Sequence, residues 1–298
     1  MLPASFRLAL AGTLLLAAPA ARAQSRPHAP ASATEPAPAT KAPAGTTNTE
    51  AHGALSAALG YGSNSAFFGR TQATATPYLT QELTYTSKVG VWGSVYNYDL
   101  FNTASHFDET DLSLGYDVDL SERVDASLSY SRFVFAPNSP LVKSAVSNSL
   151  DAALGYDWVA VYTRLNAAYL FGPDAHDTFL VLDNSRAFDF DGVLTPKDYL
   201  TFTPKLSFTA GTQVFAETST QQQIKLGNKK GKTGPGTPVT TEAARFTLLS
   251  YGLRLPVAYT RGPVSVEAAY RYLKPLNVLP EDDGAGQSYF TATLTLTL

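Results

Sequence analysis

The chain has 298 residues with a formal net charge of −3, contains no cysteine and a single methionine, and carries 16 Tyr and 16 Phe against only 16% charged residues. This excludes disulfides and thiolate metal sites, a disordered chain, and the basic surface that nucleic-acid binding needs. A mean hydropathy near zero (−0.07) excludes a bundle of transmembrane helices, but it is what a membrane barrel gives, where lipid-facing apolar residues alternate with lumen-facing polar ones.

In chain order, residues 1–23 read as a secretory signal peptide: Arg7 supplies the positive start, Leu8 to Ala18 a short apolar run, and Ala21-Arg22-Ala23 a small-x-small cleavage site. Its removal takes Arg7 and Arg22 and no acid, so the mature chain is more acidic still. Residues 24–50, rich in Pro, Ala and Thr, predict a disordered periplasmic linker. From residue 51 onward no helical period is found. Instead there are about twelve strand-like segments, at 51–61, 73–86, 90–100, 108–120, 123–135, 143–157, 159–171, 177–190, 198–215, 243–259, 263–274 and 287–298. The connectors between them alternate, short then long. Membrane barrels have short periplasmic turns, longer extracellular loops and an even strand count. The segments also exceed the five or so residues usual in a soluble strand.

The final segment is the most regular. In SYFTATLTLTL, Phe290, Ala292, Leu294, Leu296 and Leu298 form one face and four threonines the other. Such a strand leaves an open edge unless it closes on another, and pairing with the first strand removes that edge. With the signal peptide and the strand rhythm, this alternating terminal strand makes the chain resemble outer-membrane β-barrel proteins of Gram-negative bacteria. The resemblance covers the leader and residues 51–298. It implies an all-β, antiparallel up-and-down barrel of about twelve strands in the outer membrane. It further implies that Phe290, Leu294, Leu296 and Leu298 belong to the strand read by the barrel-assembly machinery, and that lipid and lipopolysaccharide surround the wall. The class usually ends in Phe, whereas this chain ends in Leu298. The stretch Tyr61 to Arg70, YGSNSAFFGR, resembles a first extracellular loop of that class, with no activity attached.

Alternation assigns faces. Leu112, Leu114, Tyr116, Val118 and Leu120 face lipid, which turns Glu109, Asp111, Asp117 and Asp119 inward. The same reasoning points Glu82, Asp125, Asp151, Arg164, Lys205, Arg254, Glu267 and Arg271 into the lumen. The third and eighth segments hold no single parity. A short turn at Asp157–Trp158 predicts Asp151 opposite Arg164. A turn at Arg261–Gly262 predicts Arg254 diagonal to Glu267 and Arg271. Seven of these, Glu82, Asp151, Arg164, Lys205, Arg254, Glu267 and Arg271, are candidates either for a selectivity constriction or for a network that braces a narrow lumen. Asp117, Asp119 and Asp125 form an acidic cluster at the periplasmic mouth. Tyr116, Tyr156, Trp158 and Tyr259 at inner ends, and Tyr61, Phe171 and Tyr272 at outer ends, predict interfacial girdles.

The run GNKKGKT at Gly227 to Thr233 has three residues between its glycines where a phosphate-binding loop needs four. It reads with Lys225 as a solvated basic loop. His106 with Asp108 and Asp111, and His176 with Asp177, offer Asp/His pairs that an outer-membrane hydrolase would need. The spacing of the outer-membrane phospholipases is absent from both. The expected function is a passive, porin-like channel for small solutes, with no catalysis, metal or cofactor. The alternative is a non-conducting barrel that acts through its loops.

Overall fold

The computed structural model describes residues 53–71, 75–101, 103, 107–137, 141, 145–173, 175–216, 243–279 and 284–298. The leader, the linker, His106 and the Gly227–Thr233 run with its lysines lie outside the described residues. The described chain is a closed antiparallel barrel of twelve strands. They are β1 (Ala54–Gly62), β2 (Tyr78–Thr86), β3 (Val91–Leu100), β4 (Glu109–Ser121), β5 (Val124–Phe135) and β6 (Asn148–Asp157). β7 (Tyr162–Phe171) follows, then β8 (His176–Ser185, continued by Phe188–Asp191) and β9 (Asp198–Phe202, continued by Lys205–Gly211). β10 (Thr247–Arg261), β11 (Val264–Pro275) and β12 (Gln287–Thr297) complete the wall. Each strand pairs with its neighbours in sequence.

The breaks in β8 and β9 have one cause. Pro204 has no N–H, so the ladder skips a rung there while the register on either side stays the same. The Arg186 N–H still donates to the Pro204 carbonyl.

β12 closes the sheet on β1, with Ser56 paired to Thr297 and Gly62 to Thr291. Among the described residues the barrel sheet has no open edge, which is what an antiparallel sheet in a bilayer requires, because an unpaired backbone N–H or C=O has no water to meet there. The two faces differ as alternation demands. On β12, Leu294 is 46% exposed while Thr293 is 7% exposed. Around the wall Leu59, Leu83, Leu114, Leu128 and Leu154 all point outward and are exposed. A closed sheet whose outer wall is a continuous apolar band is a membrane-spanning β-barrel of the outer-membrane type. Five turns of two to six residues lie at one rim; at the other lie six connections, five of eight residues or more and one, 172–175, of four. The aromatic pairs Tyr156–Trp158 (ring centroids 4.4 Å apart) at the short-turn rim and Tyr61–Phe101 (6.2 Å) at the long-loop rim mark the two interfaces.

Inside, the barrel is divided by chemistry. The middle and the short-turn half are lined by polar and charged side chains. Near the long-loop rim an apolar cluster crosses the interior. Phe133 of β5, Leu170 of β7, Phe179 of β8 and Leu249 of β10 contribute to it from the wall. Connecting segments supply Phe67, Val146, Val214 and Phe215, with Phe68 packed against them. This explains why β3 and β8 show no single parity: Trp92, Tyr96 and Tyr98 of β3 and Phe179 of β8 are all buried on the lumen side. Apolar residues there fill the interior while Val91, Val95, Leu180 and Leu182 face outward.

Candidate functional site: the charged lumen

Of the seven lumen candidates, Asp151, Arg254, Glu267 and Arg271 are buried and Glu82, Arg164 and Lys205 half-buried, while Asp119 is exposed at the rim; the registers regroup them. Asp151 stands opposite Ala168, and Arg164 opposite Gly155. The expected Asp151–Arg164 pair is therefore not made. The turn between β6 and β7 is longer than a two-residue hairpin. The Trp158 N–H donates to the Val161 carbonyl across it, and Val159 sits at φ 73°, which moves the register. Arg164 instead meets Asp125 of β5, its Nη1 2.6 Å from Oδ1. Its Nη2 donates to the Ser127 hydroxyl at 2.6 Å and its Nε to Asn166 Oδ1 at 3.2 Å. The Tyr162 hydroxyl donates to the other oxygen of Asp125. Asp125 is thus held in a five-residue knot while standing directly opposite Asp119 on the β4–β5 ladder, near the short-turn rim. Asp117 and Asp119 remain near that rim.

The second correction concerns β10 and β11. The two-residue turn is Gly262–Pro263, with Gly262 at φ 57°, so Arg254 falls directly opposite Arg271 rather than diagonal to it. Two like charges facing each other across a ladder repel. Glu267, opposite Ala258, relieves this: the Arg254 Nη2 donates to its Oε1, and Arg271 and Lys205 lie within electrostatic range of the same carboxylate. On its other flank Arg271 lies over the Tyr289 ring, 5.9 Å from the centroid. Lys205 of β9 faces Arg254 directly and reaches Asp183 Oδ2 of β8 at 3.5 Å.

Across the barrel the chemistry reverses. Glu109 and Asp111 of β4 and Asp151 of β6 are buried acids, at 0%, 3% and 4% exposure. Asp151 accepts a bond from the Ser149 hydroxyl at 2.6 Å, and Glu82 of β2 one from Thr84 at 2.8 Å. In a closed twelve-strand sheet β4 lies half a circumference from β10, and β5 from β11. One wall, β2 to β6, therefore carries Glu82, Glu109, Asp111 and Asp151. The facing wall, β9 to β11, carries Lys205, Arg254 and Arg271 with the single carboxylate of Glu267 among them. Hydroxyls accompany both: Ser113, Ser129 and Ser131 lie within the acidic wall, and Thr291, Thr293 and Thr295 of β12 lie beside the basic one. Alternation found each of these residues, but their segregation by sign needs the closed register.

The described Asp/His pair does not assemble a base. His176 is exposed and Asp177 is buried on the opposite face of β8. The Asp177 carboxylate accepts bonds from the Thr212 hydroxyl and the Val214 and Phe215 amides, at 2.6, 2.8 and 2.8 Å. It holds the segment after β9 across the barrel end. Asp108 does similar work, accepting from the Leu100 amide and the Thr103 hydroxyl. Among the described residues no group of His, Cys, Asp and Glu could hold a metal ion.

Several solved structures are similar to this chain. A NanC porin structure shares 10% identity over 82% of this chain and all of its own, with a TM-score of 0.46. LpxR from Salmonella typhimurium shares 10% over 81% of this chain and 99% of its own, at 0.47. An outer-membrane channel from Pseudomonas putida F1 shares 9% over 83% and 96%, at 0.43. No protein-family model matches the chain, and no curated protein matches it.

Proposed function

We propose that this barrel is a porin-like passive channel of the bacterial outer membrane. It carries small polar or charged solutes along a lumen whose facing walls have opposite sign. The observation that supports this reading is the separation of Lys205, Arg254 and Arg271 from Glu82, Asp111 and Asp151 across the interior. Burying an ion costs several kcal/mol after relaxation, roughly, and apolar or hydroxyl residues would brace a purely structural barrel at less cost. Separated walls instead impose a transverse field on whatever passes between them. In this reading the apolar wall meets outer-membrane lipid and lipopolysaccharide, and the barrel-assembly machinery inserts the chain through β12.

Single-channel recording in planar bilayers tests the proposal. Arg254→Ala and Arg271→Ala each remove a positive charge from one wall, so the reversal potential in a salt gradient moves toward cation preference. Asp151→Ala moves it the other way. Conductance and ion preference identical in all three variants and the parent would overturn the proposal. A second reading, a non-conducting barrel acting through its outer loops, is favoured by one observation, the aromatic cluster across the long-loop end.

A further inference from the structure

The cluster that closes the long-loop end contains a piece that is not wall. After β1 the chain keeps pairing for one more residue, the Ser63 amide donating to the Phe290 carbonyl at 2.9 Å. It then turns inward as a two-rung hairpin, Ala66–Phe67 paired with Arg70–Thr71. The hairpin forms its own small sheet and makes no ladder with any barrel strand. Its tip is Phe68-Gly69. Phe68 stacks on Phe179 of β8 (centroids 3.9 Å apart, planes 14° apart). Phe67 packs edge-on against Phe215, with centroids 5.3 Å apart. The hairpin thus leaves the wall beside β1 and ends against β8, close to the far side of the lumen.

Two features distinguish this segment from ordinary loop packing. Phe68 holds φ 42°, a left-handed conformation that a bulky side chain rarely adopts, and Gly69 follows at φ 83°. The buried Arg70 anchors the hairpin through donors spread over several segments. Its guanidinium donates to Gln213 Oε1 at 2.9 and 2.6 Å, to the Leu249 carbonyl at 3.0 Å, and to the Leu276 and Asn277 carbonyls at 3.0 and 3.1 Å. Gln213 in turn donates to the Asn277 carbonyl. One planar, five-donor cation therefore ties the first loop to the segments after β9 and β11.

We infer that the hairpin of residues 66–71 is a gate. It is a plug seated across the outer end of the lumen by Phe67 and Phe68 and latched by Arg70, and solute passes only when it swings out. The inference rests on the channel reading above. Strand pairing holds the wall continuously, whereas the hairpin makes no ladder with it and is seated by side-chain packing and the Arg70 latch. Opening therefore breaks no rung of the barrel.

The test uses the natural absence of cysteine. Cβ atoms at Gly69 and Ser250 would stand 2.7 Å apart, within reach of a disulfide after a small shift. The Gly69→Cys/Ser250→Cys barrel is recorded oxidised and then reduced, with heat-modifiable gel mobility confirming that both forms are folded. Arg70→Ala and a variant with residues 64–71 replaced by a Gly/Ser stretch of equal length are recorded alongside. The expected result is a silent oxidised barrel, conduction restored by reduction, and open probability raised at least tenfold in Arg70→Ala and in the replacement. An oxidised barrel that conducts like the reduced one overturns the gate and leaves the channel reading standing. Silence of every folded variant, including the one without the hairpin, overturns both.

Discussion

Glu267→Ala destabilises the barrel by about 3–5 kcal/mol, the cost of leaving a buried charge without its partner. The mechanism is local. Arg254 and Arg271 occupy one ladder rung, Lys205 faces Arg254 from the other side, and Glu267 is the carboxylate among them. Without it Arg254 and Arg271 share one rung, with Lys205, whose ammonium reaches Asp183, on the next strand. The measurement is urea unfolding in lipid vesicles, followed by the fluorescence of Trp92 and Trp158, with the midpoint shifting at unchanged slope. A Glu267→Ala/Arg254→Met double variant separates charge from packing. It removes the pair together and recovers most of the loss, because a neutral filled site carries no ion to desolvate. A single variant as stable as its parent, or a double variant no better than the single, would show that Glu267 does not screen these arginines.

Leu294→Arg has an effect of similar size by a different route. Leu294 lies on the outer face of β12, two residues past the strand's centre, and is 46% exposed in the absence of lipid. Lipid is its solvent. A cation placed near the bilayer midplane of a barrel wall costs about 2–4 kcal/mol, and the cost falls to about 0–1 kcal/mol near the interface. Leu298→Arg, at the short-turn rim where the Leu298 amide pairs with the Leu55 carbonyl, should therefore be nearly silent in the same unfolding assay. Equal effects at the two positions would mean that β12 does not cross the bilayer as the closed register requires.

Much of this molecule is legible without coordinates. Strict alternation in β12 assigns Leu294 and Thr293 to opposite faces, and the short/long rhythm of the connectors sets strand count and direction. Both follow from rules that act along the chain: a strand's two-residue period, and the ban on unpaired backbone in lipid. Alternation also turns Glu82, Asp151, Arg164, Lys205, Arg254, Glu267 and Arg271 inward.

Partnership is another matter. Which lumen charge meets which depends on the length of each turn, and a shift of two or four residues keeps every face while changing every neighbour. Val159 at positive φ in a longer turn sends Arg164 to Asp125 instead of Asp151, and the Gly262–Pro263 turn sets Arg254 against Arg271. The division of the lumen into an acidic and a basic wall is a property of closure, since β4 and β10 become facing neighbours only when β12 pairs with β1. The plug lies furthest from any one-dimensional signal. In YGSNSAFFGR nothing marks a loop that folds inward, because the partners of Phe68 and Arg70, namely Phe179, Gln213, Leu249 and Asn277, are distant along the chain. The one trace it leaves in the sequence is the mixed parity of β8, where Phe179 breaks the polar lumen face to meet Phe68. Local periodicity determined the wall of this protein; the packing of distant segments inside a closed sheet decided what fills it.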